Sequence, residues 1–99
     1  MITFVRTAAP LPGKFFELLA FAKEISALIK RLTGKDVSVS AAVGGPAGEL
    51  AWTLQYDNLA QLEETTGKLL ADPEYRATFK KLEGLVVPGS TRDQIWRRL

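Results

Sequence analysis

The chain has 99 residues, 46% hydrophobic, 24% charged and 9% aromatic, enough for one globular domain spanning 1–99 with one core and too few for two. It contains no Cys and no His. That excludes thiolate nucleophiles, Ser-His and Cys-His pairs, and every metal or haem site that needs an imidazole or thiolate ligand. Thirteen Lys and Arg against 11 Asp and Glu leave a net charge of +2, with the basic residues interleaved among acids except at Lys80–Lys81 and at Arg92, Arg97 and Arg98. No nucleic-acid partner is expected from that pattern.

Residues 2–7 are β-branched and aromatic and stop before Pro10, Pro12 and Gly13, which predicts a short strand. Over residues 14–32 the period changes: Phe15, Leu18, Leu19, Ala22, Ile25, Ser26, Ile29 and Leu32 share one arc of a helical wheel, with the charged residues opposite. Phe21 and Leu28 widen the arc, so this helix should touch two neighbours. Gly34 is placed to end it. The longest unbroken apolar run, Leu18–Ala22, is too short for a membrane span, and no signal peptide or membrane association is expected. Absence of Cys is compatible with a reducing cytoplasm, the expected location.

Residues 36–43 alternate, with Val37, Val39, Ala41 and Val43 on one side and Ser38, Ser40 and Ala42 on the other. After Gly44-Gly45-Pro46-Ala47-Gly48, residues 49–56 alternate again, Leu50, Trp52, Leu54 and Tyr56 against Ala51, Thr53 and Gln55. The two segments predict a hairpin. Its loop lacks the Lys-Ser/Thr of a phosphate loop and opens no helix. Asn58 followed by Gln61 approximates a capping box for a helix with Leu59, Leu62, Thr66, Leu69 and Leu70 on its apolar side. Asp72-Pro73 should break that helix and start a segment carrying Tyr75, Phe79 and Leu82 as far as Gly84. Residues 90–98 predict a last strand, with Ile95 and Leu99 on one face and Trp96 and Arg98 on the other.

The order strand, helix, strand, strand, helix, strand is the α+β, ferredoxin-like βαββαβ arrangement: a four-stranded antiparallel sheet with both helices on one face. Its other face is left bare, and a second copy of the chain is the expected cover. Small side chains at Ser38, Ser40, Ala42, Ala51 and Thr53 suit close approach of another sheet. The larger Trp52 set then faces the helices.

In that order, RTAAPLPGKFFELLAFAKEI, LAWTLQYDNLAQLEE, LLADPEYRATFKKL and VVPGSTRDQIWRRL resemble the dimeric α/β-barrel superfamily, and within it the NIPSNAP-like proteins. The resemblance covers nearly the whole chain. It implies a homodimer of ferredoxin-like protomers closed through their sheets, with a pocket between helices and sheet in each. Members of the superfamily include cofactor-independent monooxygenases, proteins that bind or degrade haem, and proteins acting on small aromatic or lactone-like substrates. Haem held through an axial His has no counterpart in a chain without His.

Two functions remain open at this stage. One is binding of a small apolar or aromatic molecule in the helix-sheet pocket; the other is cofactor-independent monooxygenase or isomerase activity on a small aromatic substrate. Neither calls for a cofactor or a metal. The candidate pocket residues are Trp52 and Tyr56, four apart on one strand face, Tyr75 and Phe79, four apart on a helix, Asn58 and Arg6. Each has a structural alternative: core packing for the aromatics, helix capping for Asn58, and an exposed strand end for Arg6. Asp57 and Glu49 read as exposed carboxylates, since spacing pairs neither with another titratable group.

Overall fold

The change of period after Lys14 appears in the computed structural model, which describes residues 1–99, as strand β1 (Ile2–Ala8) followed by helix α1 (Phe15–Thr33). Leu18, Phe21, Ala22, Ile25, Leu28 and Ile29 are buried along α1 at steps of three and four. The apolar arc is wide because α1 packs on the sheet and also, within the same helix layer, against two further helices, α2 (Leu59–Ala71) and α3 (Pro73–Phe79). On the sheet side, Phe21 meets Trp52 edge to face at 6.4 Å between ring centroids. Gly34 closes α1 with φ 76°, in the left-handed region, and its N–H donates to the Lys30 carbonyl.

Strands β2 (Ser38–Ala41), β3 (Leu50–Tyr56) and β4 (Arg92–Arg97) join β1 in one sheet of order β2-β3-β1-β4, with every neighbouring pair antiparallel. This is the ferredoxin-like topology. Alternation along β3 sorts its residues: Leu50, Trp52, Leu54 and Tyr56 are buried under the helices, while Ala51, Thr53 and Gln55 face the other way. Register carries the sorting to β1, where Ile2, Phe4, Arg6 and Ala8 lie on the helix side and Thr3, Val5 and Thr7 on the open side. The molecule measures 37 × 35 × 20 Å. The shortest dimension equals one sheet layer plus one helix layer, each about 10 Å thick.

Helix α2 ends at Ala71, and Asp72 caps α3 by accepting the Tyr75 N–H at 2.9 Å, with Pro73 as the first helical residue. The segment running on to Gly84 changes form on the way. It tightens into a 3-10 turn over Lys80–Gly84. Leu85–Val87 then returns beside the exit of β1: Leu11 donates to the Leu85 carbonyl and Val87 to the Ala9 carbonyl, each at 2.9 Å. Sequence pattern gives no hint of that pairing, because it is two residues long and has no period.

Three expectations need correction. Strand β2 covers four residues instead of eight, and Val43 is 106% exposed. As an edge strand β2 has one neighbour, and the loop that follows turns away at Gly45 to seat Gly48 against Pro10, where a Cβ would come within 3.3 Å of the ring. Strand β4 covers Arg92–Arg97 instead of 90–98; past it the Arg98 N–H donates to the Met1 carbonyl at 3.0 Å, and Leu99 stands in solvent. On α2, Leu59 and Leu70 are exposed and Thr65 is buried with Leu69, so the packed side is rotated from the one the leucines marked.

Leu18 and Leu50 are the large side chains with almost no exposed surface. Replacing either by Ala should lower the unfolding free energy by about 2–5 kcal/mol. Val43→Ala should change it by less than about 0.5 kcal/mol. Urea denaturation with unchanged m-values checks both.

Candidate functional site

Antiparallel register sets Trp52, Arg6 and Asp93 side by side on β3, β1 and β4, a single cross-strand row on the helix-facing side of the sheet. Leu54, Phe4 and Ile95 form the adjacent row. Arg6 donates from Nε to Asp93 Oδ1 at 2.7 Å and from Nη2 to Oδ2 at 2.9 Å, a two-pronged pair that fixes the guanidinium plane. Its carbon lies 5.6 Å from the centroid of the Phe4 ring and 5.4 Å from that of Phe79. Two aromatic faces thus hold the cation, one from the sheet and one from α3. The Asp93 hydrogen bond raises the Arg6 pKa further above its ordinary value, against the opposing effect of burial.

Tyr75 and Phe79 project from α3 with ring centroids 5.8 Å apart. Between these rings, α1, α2 and the sheet lies a cavity of about 410 Å³, and 14 of its 17 lining residues are hydrophobic. The other three are Arg6 and Asp93 of the polar row and Thr66 of α2. Trp52 is 6% exposed and lines the cavity, and its Nε1 has no hydrogen-bond partner in the protein. Both phenols ionise above the ordinary tyrosine value. Burial is the main cause for each; Tyr75 also raises Tyr56, while Arg6 pulls Tyr75 down and Asp93 pushes it up. Lys35 sits 4.9 Å above the Tyr56 ring at the far end of the cavity, its Nζ donating to the Gln55 carbonyl and to Gln61 Oε1.

Of the six candidate residues, Arg6, Trp52, Tyr56, Tyr75 and Phe79 line this one cavity, and Asn58 does not. Asn58 Oδ1 accepts the Gln61 N–H at 2.9 Å and caps α2. Gln61 reaches back to the N–H of Asp57 instead of Asn58, so the reciprocal bond is one residue further out than in a capping box. Arg6 points beneath the helices and not off a strand end. Asp93 is the residue that sequence reasoning missed. Its signal was a carboxylate in the last strand that could face Arg6 from a neighbouring strand, but only knowledge of the register turns that possibility into a pair. No three Asp or Glu side chains converge in a metal-ligating group.

This fold and its cavity define a ferredoxin-like α+β protein with a walled space between helices and sheet. No protein-family model and no curated protein matches the chain. Its fold is that of the NIPSNAP-domain proteins. An uncharacterised NIPSNAP domain protein from Burkholderia xenovorans superposes with a TM-score of 0.85 at 16% identity, covering 100% of this chain and 95% of the other. A NIPSNAP family protein from Agrobacterium tumefaciens gives 0.83 at 23% identity over 99% and 92%. A candidate antibiotic biosynthesis monooxygenase from Deinococcus radiodurans gives 0.73 at 19% identity over 99% and 92%.

The raised phenol pKa values make stability depend on alkaline pH. In the unfolded chain tyrosines ionise near 10, whereas Tyr56 and Tyr75 do so at higher pH when folded. Their contribution is therefore complete below pH 10 and is lost as pH rises through the folded values. Absorbance titration at 295 nm should show tyrosinate forming above the free-tyrosine midpoint, with urea midpoints falling over the same range. Asn58→Ala should cost about 0.5–2 kcal/mol of stability, measured by urea denaturation.

Proposed function

We propose that this chain binds a small apolar or aromatic molecule in the cavity between its helices and its sheet. The supporting observation is an apolar, six-aromatic wall interrupted by one immobilised polar row. Apolar surface supplies affinity, and a few fixed polar groups supply orientation. A volume of about 410 Å³ falls within the span of small-molecule sites, about 300–1,000 Å³. Leu70, at the cavity wall and yet exposed, marks a rim through which a ligand reaches the interior.

The alternative is a cofactor-independent monooxygenase or isomerase for a small aromatic substrate. Trp52 and Tyr56 line the cavity as that reading needs, and the likeness to the Deinococcus radiodurans protein favours keeping it. Asn58 is occupied in a helix cap, which leaves Tyr75 and Arg6 as the groups able to orient a substrate.

A homodimer in the cytoplasm completes the proposal, its second copy covering the open sheet face. Val5 and Thr53 lie at the middle of that face, and Trp96, 58% exposed, stands on it from β4. Apolar surface of this kind is a usual signature of an interface.

Native mass spectrometry of protein purified from its own host should find the 10.9 kDa chain carrying a retained small molecule. Thr66→Phe, which puts a larger side chain on the α2 side of the cavity, should weaken retention. A ligand that emerges chemically unaltered after incubation in air leaves binding as the function; an altered one moves the assignment to the enzyme. Sedimentation should give twice the chain mass, and Thr53→Arg on the open face should halve it without loss of ligand. A monomer at all micromolar concentrations refutes the dimer.

A further inference from the structure

We infer that residues 73–84, helix α3 and the 3-10 turn that follows it, form a lid latched to α1 by two ion pairs, and that a ligand enters and leaves the cavity when this lid opens, at rates set by ionic strength. This rests on the binding reading above and gives the route by which that site is filled. The lid brings Tyr75, Phe79 and Leu82 to the cavity wall. Three of its twelve residues, Tyr75, Thr78 and Leu82, are buried, and that burial makes the closed form the resting one.

Space lies on both sides of the segment. Towards the sheet is the cavity itself, at whose edge the Phe79 ring centroid stands 5.4 Å from the Arg6 guanidinium. Towards α1 is a groove of about 320 Å³, bordered by Glu24, Ala27, Leu28 and Arg31 on one bank and Glu74 and Thr78 on the other. Atoms that face a gap forfeit dispersion contacts, which loosens the hold on this segment. Charge spans the groove. Arg31 pairs with Glu74 at one end, and Lys81 Nζ with Glu24 at 2.8 Å at the other. Positions 24 and 31 are about two helical turns apart on α1, and 74 and 81 have the same spacing on the segment, so antiparallel packing puts one latch at each end. All four side chains are about half exposed, and ion pairs of that exposure are weak and screened by salt. The chain is fixed beyond both ends. Before the segment, Asp72 is extended, with ψ 123°, and Arg76 donates back to the Leu70 carbonyl at 2.7 Å, on the exposed rim. After it, Leu85 and Val87 are hydrogen-bonded to Leu11 and Ala9. A swing about these two points opens both latches and lifts Phe79 from Arg6 without breaking a hydrogen bond of the sheet.

The test uses the full chain and N-phenyl-1-naphthylamine, an uncharged dye that brightens in apolar surroundings, so that salt acts on the protein and not on a ligand charge. Stopped-flow fluorescence gives its association and dissociation rate constants from about 0.01 M to about 1 M NaCl, over which the screening length falls from about 30 Å to about 3 Å. Both should rise together by about threefold or more, the worth of two exposed ion pairs, while Kd changes by less than about twofold, because opening precedes entry and exit alike. Arg31→Gln combined with Lys81→Gln should show the fast rates already at low salt. Glu24→Lys combined with Lys81→Glu, which exchanges the charges of one latch, should be slower than Lys81→Glu alone. In the free wild type, amides of residues 73–84 should exchange faster than those of the buried turns of α1, and faster still in salt. A dye that binds at rates indifferent to salt and to the latch substitutions overturns the lid and leaves the binding reading standing. A change in dissociation alone also overturns it, because a latch that only steadies the filled site is not a gate. No dye binding up to its solubility limit ends the binding reading, and the lid with it. The wild-type salt series and amide exchange need no variant, so a misfolded variant removes neither.

Discussion

A two-layer protein has one buried face to its sheet, and here the central strand places a guanidinium on that face. Most of what distinguishes the molecule follows from satisfying it. Asp93 must arrive on the neighbouring strand in a register that puts it level with Arg6, and Phe79 must arrive on α3 at the height of the guanidinium plane. The β1–β4 register, the seating of α3 and the polar end of the cavity are thereby tied to one side chain. Ion pairs of this partial exposure contribute little net stability, and apolar replacements are often no worse. The pair's main effect is therefore one of position: it keeps charge and donors fixed at the wall of an apolar space.

How far the sequence could be read depends on whether a feature is local. Helix α1, its end at Gly34, the break at Asp72-Pro73 and the facing of the Trp52 set are set by residues within one or two turns of each other, and these are legible from period and capping chemistry. Features that depend on a distant neighbour are not. Val43 fits the alternation of β2 but lies beyond the reach of its single partner strand. Leu59 and Leu70 look like core from spacing alone, yet α2 turns Thr65 and Leu69 inward instead. Asp93 is the sharpest case, because its role is fixed by an alignment between the first and last strands of the chain. Arg6 by itself could be singled out as unusual, since a charge in a central strand requires a reason. The partner that explains it could not.

The cavity matters more in a chain this small than in a larger one. A domain of 99 residues buries a modest share of its surface and has little stability to spare. Unfilled apolar volume forfeits dispersion contacts and costs stability in proportion to its size. The proposed binding function gives that cost a reason: the same rings that forfeit contacts with one another are the surface a small molecule would cover.

Strand β4 belongs to both faces of the sheet. Asp93 and Ile95 look towards the helices, Gln94 and Trp96 towards the open side, and no residue of β4 is buried in the single chain. It is an edge strand held on one side by β1 alone. Whatever packs against Trp96 and Gln94 therefore restrains the backbone that carries Asp93, and through Asp93 the orientation of Arg6 in the cavity. The alternation of a strand, two residues per repeat, places these side chains back to back at a separation of one residue. One backbone thus carries both the Asp93 that orients Arg6 and the Gln94 and Trp96 that stand on the open face.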